Sequence, residues 1–397
     1  MPGKPDLSGI PTVQVSRRGA IRLKEGHVWV YRSDVVAAHG VGPGALVAVN
    51  DDRGKFLGTA LYSSSSQIVI RMISARPVPD WPTLLAERIS AALAYRERVV
   101  ENTDAYRLVF SEADFLPGLI VDRYNDVLSL QILTQAMDAD PIRARIVSEL
   151  QRQINPAGIV ERVDSRIREL EQLPQRESGL VCGEKSETTF SMNGVHFQFD
   201  GLHGQKTGAF LDQRENYAAA AQYASGEALD VFCYQGGFAL HMAEHCSSVT
   251  GVDSSLEALE VADANAALNK REIEWIEANA FDLLRDYAAS GKQYDTIVLD
   301  PPAFAKSRQN LDTAVRGYKE LNLRALKMLR PGGTLVTCSC SYHVSGALLL
   351  EILTSAAQDV HRSLRILENR SQAKDHPILL GVPETGYLKC LIANVSY

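Results

Sequence analysis

The sequence predicts an α/β protein with three parts: a small β-rich unit, a middle α+β region, and a doubly wound parallel sheet in the C-terminal half. Short β-prone runs separated by Gly and Asp turns fill residues 13–74. From residue 226 onward, five strand-like apolar runs alternate with helical patterns, which is the order of a parallel sheet flanked by helices. Between these regions, Asn193-Gly194 separates two alternating runs and predicts a hairpin.

The composition is that of an ordinary globular protein. The chain has 397 residues, 45% of them apolar, and a formal net charge of −7. No apolar run reaches the ~18 residues of a membrane span, and the N-terminus lacks the apolar stretch of a signal peptide. We therefore expect a cytoplasmic protein with no membrane partner. The negative charge weakens the case for nucleic-acid binding, although a local basic patch would still permit it.

The six cysteines argue against a metal centre. The only close pair is Cys338 and Cys340, with no second pair and no histidine cluster nearby, so neither a zinc module nor a disulfide framework is expected.

The β-rich unit at 13–74 is predicted to form a compact barrel or meander. It is locally basic, with Arg17, Arg18, Arg22, Lys24 and Arg32. From charge alone, a solvated surface explains these residues. The segment ARPVPDWP at 75–82 contains three prolines and is the best candidate for a linker.

The middle region is predicted to be α+β. A helical pattern runs from Thr83 to Val100, followed by the strand-like runs YRLVF, GLIVDRY and VLSLQIL, a helix near 140–154 and the strand GIVERV. It carries no recognisable catalytic constellation. The predicted domains are therefore 1–77, 78–190 and 191–397, and the tail LLGVPETGYLKCLIANV is predicted to close the last sheet with a pair of strands.

A glycine-containing turn at the end of the first strand of this sheet is the candidate cofactor site. The strand runs into DVFCYQGGFAL, and ligands of doubly wound sheets bind outside the carboxyl ends of the strands. Gly236 and Gly237 would let the backbone turn tightly and approach a ligand, flanked by Tyr234 and Phe238. The G-x-G-x-x-G pattern that seats a pyrophosphate is missing, so a nicotinamide or flavin cofactor is disfavoured.

Polar residues at the next strand ends favour a nucleoside ligand. Asp253 ends the second strand, where an acid can accept both ribose hydroxyls. The alternative is that Asp253 caps the following helix, a role that Ser254 could take instead. Asn279 ends the third strand, where its amide could meet an adenine edge. Pro301, which follows the fourth strand, is also a candidate cofactor contact. A ribose acid without a pyrophosphate motif suits S-adenosylmethionine, which has a nucleoside but no phosphate.

The fourth strand ends in Asp300-Pro301-Pro302-Ala303-Phe304. Two prolines make a rigid exit from the strand and hold an acid and an aromatic at the sheet edge. Methyltransferases that modify exocyclic amines use a similar element to hold a planar base, and stacking on an aromatic contributes about 1–3 kcal/mol per base. The element therefore favours a base-directed methyltransferase over a simple strand terminator, without identifying the methylated atom.

The fifth strand ends in TCSCS, which contains Cys338 and Cys340. Carbon 5 of cytosine becomes nucleophilic only after a thiolate adds to carbon 6, so a cysteine at a strand end beside the cofactor is what this route needs. Both side chains would point to one face of the strand, and Cys340 lies nearer its end. The competing interpretation is that Cys340 is a buried structural cysteine. For Cys233, within the first strand, a structural role in the core is the preferred interpretation.

The ordered motifs as a set resemble a known family. They are HVWVYRSDV, ALYSSSSQI, SEADFLPGLIVDRY, KTGAFLDQRENY, FCYQGGFAL, GVDSSLEAL, LDPPAF, RGYKELN and SCS. The chain resembles the bacterial 23S ribosomal RNA (cytosine-C5) methyltransferases of the RlmI type. These enzymes join an N-terminal PUA domain to a class I (Rossmann-like) methyltransferase domain. The resemblance covers nearly the whole chain.

The resemblance implies roles that composition does not. It implies a PUA fold and RNA binding for the first unit, with Arg17 and Arg18 as substrate contacts. It also implies that KTGAFLDQRENY folds over the cofactor, with Asp212 and Arg214 as contacts, and that Cys340 is the nucleophile. The partner would be 23S ribosomal RNA, and a homodimer is one assembly that the sequence allows.

One departure from the broader cytosine methyltransferase pattern concerns product release. Many RNA enzymes of this chemistry carry a second cysteine directly after the paired prolines, where this chain has Ala303. Asp300 is then a candidate for removing the carbon 5 proton by proximity alone.

Two other functions remain in competition. DPPAF also suits an exocyclic-amine methyltransferase acting on guanine or adenine, which needs no thiol adduct. A noncatalytic RNA-binding assembly factor with a methyltransferase fold would tolerate loss of Cys340, although the intact QGGF, Asp253 and DPP elements argue against it.

Overall fold

A computed structural model describes residues 9–202, 208–305 and 308–396 of the chain. Lys206 and Thr207, which open the KTGAFLDQRENY segment, lie outside these ranges. Two compact units are present. Among the described residues, the first falls within Met1–Thr188, Phe199–Gly208 and Asp375–Thr385, and the second within Thr189–Gln198, Ala209–Lys374 and Gly386–Tyr397.

The strands of the described chain are β1 (Thr12–Val15), β2 (Trp29–Tyr31), β3 (Val35–Ala37), β4 (Leu46–Asn50), β5 (Phe56–Tyr62), β6 (Ile68–Ser74), β7 (Ala105–Phe110), β8 (Leu119–Tyr124), β9 (Val127–Ile132), β10 (Gly158–Glu161), β11 (Gly179–Gly183), β12 (Glu187–Met192), β13 (Val195–Asp200), β14 (Gly226–Val231), β15 (Cys246–Asp253), β16 (Glu274–Glu277), β17 (Tyr294–Leu299), β18 (Leu329–Ser339), β19 (Ser363–Arg370) and β20 (Lys389–Ser396).

The α-helices are α1 (Arg17–Lys24), α2 (Trp81–Val99), α3 (Gln135–Asp138), α4 (Asp140–Ile154), α5 (Ser165–Glu171), α6 (Arg214–Tyr223), α7 (Gly237–Met242), α8 (Leu256–Leu268), α9 (Ala280–Ser290), α10 (Leu311–Met328) and α11 (Gly346–Asp359).

The first unit contains two sheets. The six-stranded sheet has the order β2-β6-β5-β4-β1-β3 and encloses a small aliphatic core that includes Val13, Val47 and Ile70. The five-stranded sheet has the order β11-β10-β9-β8-β7 and packs against helices α2 and α4 through residues such as Leu85 and Ile146.

Two local expectations in this unit need correction, and two further elements were not predicted. The stretch after β1 was expected to be β-prone throughout, but Ser16 caps a helix there by accepting a hydrogen bond from the Gly19 N–H, and α1 follows. The 75–82 segment is a packed connection rather than a free linker, because Val78 and Trp81 are buried and Asp80 caps α2. Helix α5 and strand β11 were not predicted.

The hairpin around Asn193-Gly194 forms as predicted. Strands β12 and β13 flank the dipeptide, and both central residues have positive φ values, 53° and 84°. Asparagine and glycine tolerate this left-handed conformation with little strain, which is why the dipeptide selects a tight turn.

The second unit is built on one seven-stranded sheet with the order β16-β15-β14-β17-β18-β20-β19. Strands β14 to β18 are parallel to their sequential neighbours in the sheet, whereas β20 is antiparallel to both β18 and β19. The chain order reverses at β14, so the loops after β14, β15 and β17 leave the same edge of the sheet near the switch point.

The end of the chain differs from the expected pair of strands. Only Lys389–Ser396 of the tail is a strand, and its neighbours are β18 and β19. The preceding LLGVPETG contains a short 3-10 turn at Pro383–Thr385, since its two glycines and its proline do not favour a strand.

Candidate active site

The turn after β14 has the tight backbone that its glycines predict. Phe232, Tyr234 and Gly236 all have positive φ values, and Gly236 precedes the first residue of α7. At Gly237 the reason for glycine is a close neighbour. A Cβ there would lie 2.4 Å from Cζ of Tyr217, so any larger residue would displace that ring.

Asp253, at the end of β15, holds two loops together. One carboxylate oxygen accepts a hydrogen bond from the Tyr234 N–H at 2.9 Å, and the other accepts from the Ser255 N–H at 3.0 Å. The N-cap of α8 is Ser255, whose hydroxyl accepts from the Ala258 N–H, so neither Asp253 nor Ser254 caps this helix. Ser254 is exposed beside the carboxylate.

Asn279 lies two residues beyond β16 and is exposed. Its side-chain oxygen accepts from the N–H groups of Phe281 and Asp282, which makes it the N-cap of α9. The capping interaction occupies the amide oxygen, so a contact with an adenine edge would use the amide nitrogen.

A cavity lies at this edge of the second unit. Several of the predicted cofactor residues line it together with aromatic neighbours, namely Phe210, Tyr217, Tyr234, Gly237, Phe238 and Asp300. Phe210 and Tyr234 meet edge to face, with ring centroids 5.0 Å apart. The other predicted cofactor residues do not line the cavity, namely Asp212, Arg214, Gly236, Asp253, Ser254, Asn279 and Pro301.

Asp300 follows β17 and is a half-buried residue. Gln213 donates a hydrogen bond from its amide nitrogen to this carboxyl at 3.0 Å. Burial raises the pKa of Asp300 to about 7, and the nearby negative charge of Asp212 acts in the same direction. A carboxyl with such a pKa can exchange a proton near neutral pH.

Asp212 has one satisfied and one unsatisfied carboxylate oxygen. The Tyr387 hydroxyl donates to Oδ2 at 2.6 Å, whereas Oδ1 is buried with no hydrogen-bond partner in the described chain. A buried acceptor without a partner is a feature of ligand sites, since leaving it unpaired costs about 1–3 kcal/mol. The amino group of an amino-acid moiety is a suitable donor. The residues present therefore fit the polar part of S-adenosylmethionine.

Arg214 opens helix α6 and is almost completely buried, with 1% of its surface exposed. Its backbone carbonyl accepts from the Asn193 side chain at 2.9 Å, which links α6 to the β12–β13 hairpin. Its guanidinium lies 3.6 Å from the carboxylate of Glu215.

The cysteines of TCSCS have different environments. Cys338 is fully buried within β18 opposite Cys390, and burial holds the pKa of its thiol well above the ordinary value. Cys340 is half-buried just beyond the end of β18, and its thiol donates to the Pro301 carbonyl at 3.8 Å. Cys233 is buried, as expected, and its pKa is also raised by burial. It lies in the turn after β14, whereas the sequence predicts it within the strand.

Phe304 is more enclosed than its proposed role as a stacking platform suggests. Its ring contacts Tyr318 and Phe281, with centroid distances of 4.8 Å and 5.9 Å, and it is half-buried against the core of the sheet. The part of Phe304 that remains exposed is what a base would contact.

Sequence patterns missed the residues that brace Cys340. The Ser339 hydroxyl donates to the Tyr318 hydroxyl at 2.9 Å, and the Tyr318 and Ser341 hydroxyl oxygens are 3.0 Å apart. Lys389 donates to the Ser341 carbonyl at 2.7 Å. RGYKELN and YLKC contain Tyr318 and Lys389, but nothing in their spacing predicts this proximity.

Arg17 and Arg18 are exposed on α1 in the first unit. Arg18 and Arg22 form ion pairs with the buried carboxylate of Asp34, at 2.7 Å and 2.9 Å. Arg17 forms no ion pair with any residue that the structure describes.

Neither a metal site nor a membrane segment is found in the described part of the chain. No group of three or more His, Cys, Asp or Glu side chains is placed to hold a metal ion. Among the described helices, none combines the length and apolar character needed to cross a bilayer.

The family is decided by comparison with known proteins. A family model for S-adenosylmethionine-dependent methyltransferases matches residues 119–384. The chain belongs to this family. A second model, for PUA-like domains, matches residues 13–75 of this methyltransferase. The family also confirms S-adenosylmethionine as the cofactor.

Relatives match this methyltransferase over nearly their full length. The ribosomal RNA large subunit methyltransferase I of Tolumonas auensis is 38% identical over 395 residues, covering 96% of this chain and 99% of its own. The protein of the same name from Shewanella amazonensis is 40% identical over 395 residues, covering 94% and 99%.

Solved structures show the same fold. A protein described as a methyltransferase and complexed with SAH superposes with a TM-score of 0.83 at 19% identity, covering 97% of this chain and all of its own. An S-adenosylmethionine-dependent methyltransferase from Streptococcus mutans gives 0.81 at 19% identity with the same coverage. The predicted class I methyltransferase fold with an N-terminal PUA-like domain is thus confirmed.

Proposed function

We propose that this methyltransferase modifies carbon 5 of a cytosine in 23S ribosomal RNA, with Cys340 as the nucleophile. The observation that carries the proposal is the position of Cys340. Its thiol lies beyond the end of β18 and contacts the backbone of Pro301, next to the Asp300 carboxyl group. The names of the curated relatives, ribosomal RNA large subunit methyltransferase I, support the RNA substrate.

The cofactor would lie along the edge formed by the loops after β14, β15 and β17. Asp253 would accept the ribose hydroxyls, and Asn279 would donate from its amide nitrogen to the adenine. Tyr234, Gly236, Gly237, Phe238, Ser254 and Pro301 would border the nucleoside. The unpartnered oxygen of Asp212 would accept from the amino group of the cofactor, and Arg214 would lie close to its carboxylate.

S-adenosylmethionine supplies an electrophilic methyl group attached to a sulfonium. The chain supplies the other steps. The Cys340 thiolate adds to carbon 6 of cytosine, which makes carbon 5 nucleophilic toward the methyl group. The Asp300 carboxylate then takes the carbon 5 proton, and the thiolate leaves from carbon 6 with its electron pair. A pKa of about 7 makes Asp300 suited to accept a proton near neutral pH.

The first unit would deliver the RNA. We propose that residues 1–77 form an RNA-binding PUA-like domain, residues 78–190 a middle domain and residues 191–397 the catalytic domain. Arg17 and Arg18 would contact phosphates, and Arg17 would contribute more because Asp34 already balances Arg18.

Nucleoside analysis tests the proposal. Purified enzyme, isotope-labelled S-adenosylmethionine and 23S ribosomal RNA lacking the modification would be incubated, and the RNA digested for mass spectrometry. Labelled 5-methylcytidine that disappears with Cys340→Ala is expected. Labelled N-methylguanosine or N-methyladenosine would instead support the exocyclic-amine reaction, for which Asp300-Pro301-Pro302 is the motif. Cofactor binding without any labelled nucleoside would favour the assembly factor.

A further inference from the structure

Lys389 lies next to the nucleophile that we propose. It is the first residue of β20 and pairs with Ser339 across the antiparallel contact with β18. Its ammonium group donates to the Ser341 carbonyl at 2.7 Å and to the Tyr387 carbonyl at 2.8 Å. The first of these bonds fixes the cation to the residue that directly follows Cys340.

The ammonium group is half-buried, and its two hydrogen-bond partners are neutral carbonyls. No salt bridge to Lys389 is formed within the described chain. An ammonium that is partly removed from water and is not neutralised by a carboxylate exerts a stronger field on its neighbours than a solvated lysine does. The thiol of Cys340 is one of those neighbours.

The other charged and titratable groups around Cys340 oppose thiolate formation or are neutral. Asp300 follows β17, Asp212 precedes α6, and Tyr318 lies on α10. Burial, reinforced by the two carboxylates, raises the pKa of the Cys340 thiol to about 11. A backbone hydrogen bond to the sulfur lowers it, and Lys389 is the charged side chain that acts in the same direction. Conversely, burial lowers the pKa of Lys389 to about 8, while the thiol acts to raise it.

We propose that Lys389 is a positioning residue that stabilises the thiolate of Cys340 and thereby sets the reactivity of the nucleophile. This inference rests on the proposed function, because it concerns the same cysteine. The thiol proton passes to water, and the charge that remains on sulfur is balanced by the Lys389 ammonium. The sulfur–carbon 6 bond then forms as the electrons of the carbon 5–carbon 6 double bond move to carbon 5. When that bond breaks, sulfur leaves with the electron pair and again faces the ammonium.

The test is the rate at which iodoacetamide alkylates Cys340 in the absence of RNA and cofactor. Only the thiolate reacts, so at a pH below the thiol pKa the rate reports the thiolate fraction. Lys389→Met removes the charge and keeps much of the side-chain length, Lys389→Arg keeps the charge, and Lys327→Met removes an exposed lysine of α10. Fragment-ion mass spectrometry distinguishes Cys340 from Cys338 on one peptide.

An opposite charge at close range shifts a pKa by about 1–3 units. We therefore expect Lys389→Met to alkylate about tenfold more slowly at pH 7, where Lys389 carries its charge, and the difference from the wild type to shrink as pH rises above 8. Lys389→Arg should lie within about threefold of the wild type, because the positive charge remains. Lys327→Met should match the wild type.

An unchanged rate–pH curve in a folded Lys389→Met protein would overturn the inference. If Lys389→Met does not fold, the comparison is made between Lys389→Arg and Lys389→Gln, and equal rates in that pair would overturn it as well. The alkylation rates and the nucleoside analysis test different claims. A wild type that makes no 5-methylcytidine refutes the proposed function, whereas the alkylation rates still report whether Lys389 controls the thiol.

Discussion

Asp230 is a buried carboxyl group within β14 that lacks a full set of hydrogen bonds. One of its oxygens accepts from the Ala239 N–H at 2.9 Å, and the other is buried with no partner in the described chain. Burial raises the pKa of Asp230 to about 8, and the charges of Asp300 and Asp253 add to the effect. The folded protein therefore keeps a proton on Asp230 that the unfolded chain releases near pH 4.

This difference in proton binding predicts how stability depends on pH. Because the folded form binds the proton more tightly, protonation of Asp230 adds to the free energy of unfolding. This contribution is fully present below about pH 4 and is lost as pH rises to about 8. Between these values the free energy of unfolding falls by about 1.4 kcal/mol per pH unit. Asp230→Asn cannot release a proton. Its thermal unfolding midpoint, measured by calorimetry, should therefore rise relative to the wild type between pH 5 and pH 8.

The matched control is Asp52→Asn, at an exposed position. The difference between its unfolding midpoint and that of the wild type should not rise over this pH range. If the unfolding midpoint of Asp230→Asn differs from that of the wild type by a constant amount between pH 5 and pH 8, Asp230 does not retain its proton in the folded protein.

Side chains that belong to a local motif could be predicted from the sequence. Cys340, Asp253 and Asp300 each follow a predicted strand, and the structure places each of them at or just beyond a strand end. Lys389 could not be predicted in this way. Its relation to Cys340 depends on the pairing of β20 with β18, which joins segments about 50 residues apart in the chain.

Two adjacent arginines of helix α1, Arg17 and Arg18, look equivalent in the sequence but have different surroundings in the structure. Arg18 is paired with Asp34, whereas Arg17 has no ion pair in the part of the chain that the structure describes. If α1 faces RNA, Arg17→Gln should weaken RNA binding and reduce the slope of log affinity against log salt by about 1, because one phosphate contact is lost. Filter binding over a range of salt concentrations measures this slope.

Arg18→Gln is the comparison for that experiment. Since Asp34 already balances the charge of Arg18, its substitution should change the slope less than that of Arg17 does. Equal slopes of log affinity against log salt for the wild type and Arg17→Gln would show that Arg17 does not contact the RNA backbone.

At the element scale, periodicity predicts long helices and central strands better than short elements. The middle-region helix expected over 83–100 is α2, and the expected 140–154 helix is α4. Helix α1 was missed because its eight residues follow a strand directly and contain β-compatible residues. Its cap by Ser16 is decided by one side-chain hydrogen bond, which a pattern of apolar residues does not show.

The molecule as a whole contains a first unit assembled from distant segments of the chain. Asp375–Thr385 belongs to it although about 190 residues separate this segment from Thr188. Asp375 is buried and accepts two hydrogen bonds. Its backbone carbonyl accepts from the Arg96 guanidinium at 2.8 Å, and its carboxylate accepts from the Arg107 N–H at 2.7 Å. Sequence patterns cannot predict such a return, because neither apolar periodicity nor turn residues identify a partner so far away.

Asp375→Ala should therefore destabilise the first unit. The substitution removes the buried carboxylate that accepts from the Arg107 N–H, and loss of such a hydrogen bond costs about 1–3 kcal/mol. Urea unfolding followed by tryptophan fluorescence is a suitable measurement, since Trp29 and Trp81 lie in this unit. Leu380→Ala, at a position that is 94% exposed in the same segment, should change the unfolding free energy by less than about 0.5 kcal/mol. Equal stability of the two variants would contradict this role of Asp375.

Covalent trapping with RNA that contains 5-fluorocytidine tests whether Cys340 attacks carbon 6 of the target cytosine. Fluorine at carbon 5 prevents proton removal, so an enzyme that uses the proposed route stays attached to the RNA once the methyl group has been transferred. We expect a stable adduct with the wild type and with Cys338→Ala, and none with Cys340→Ala. If the wild type methylates unmodified RNA yet forms no adduct with the fluorinated RNA, Cys340 is not a covalent nucleophile, and the cytosine carbon 5 mechanism is wrong.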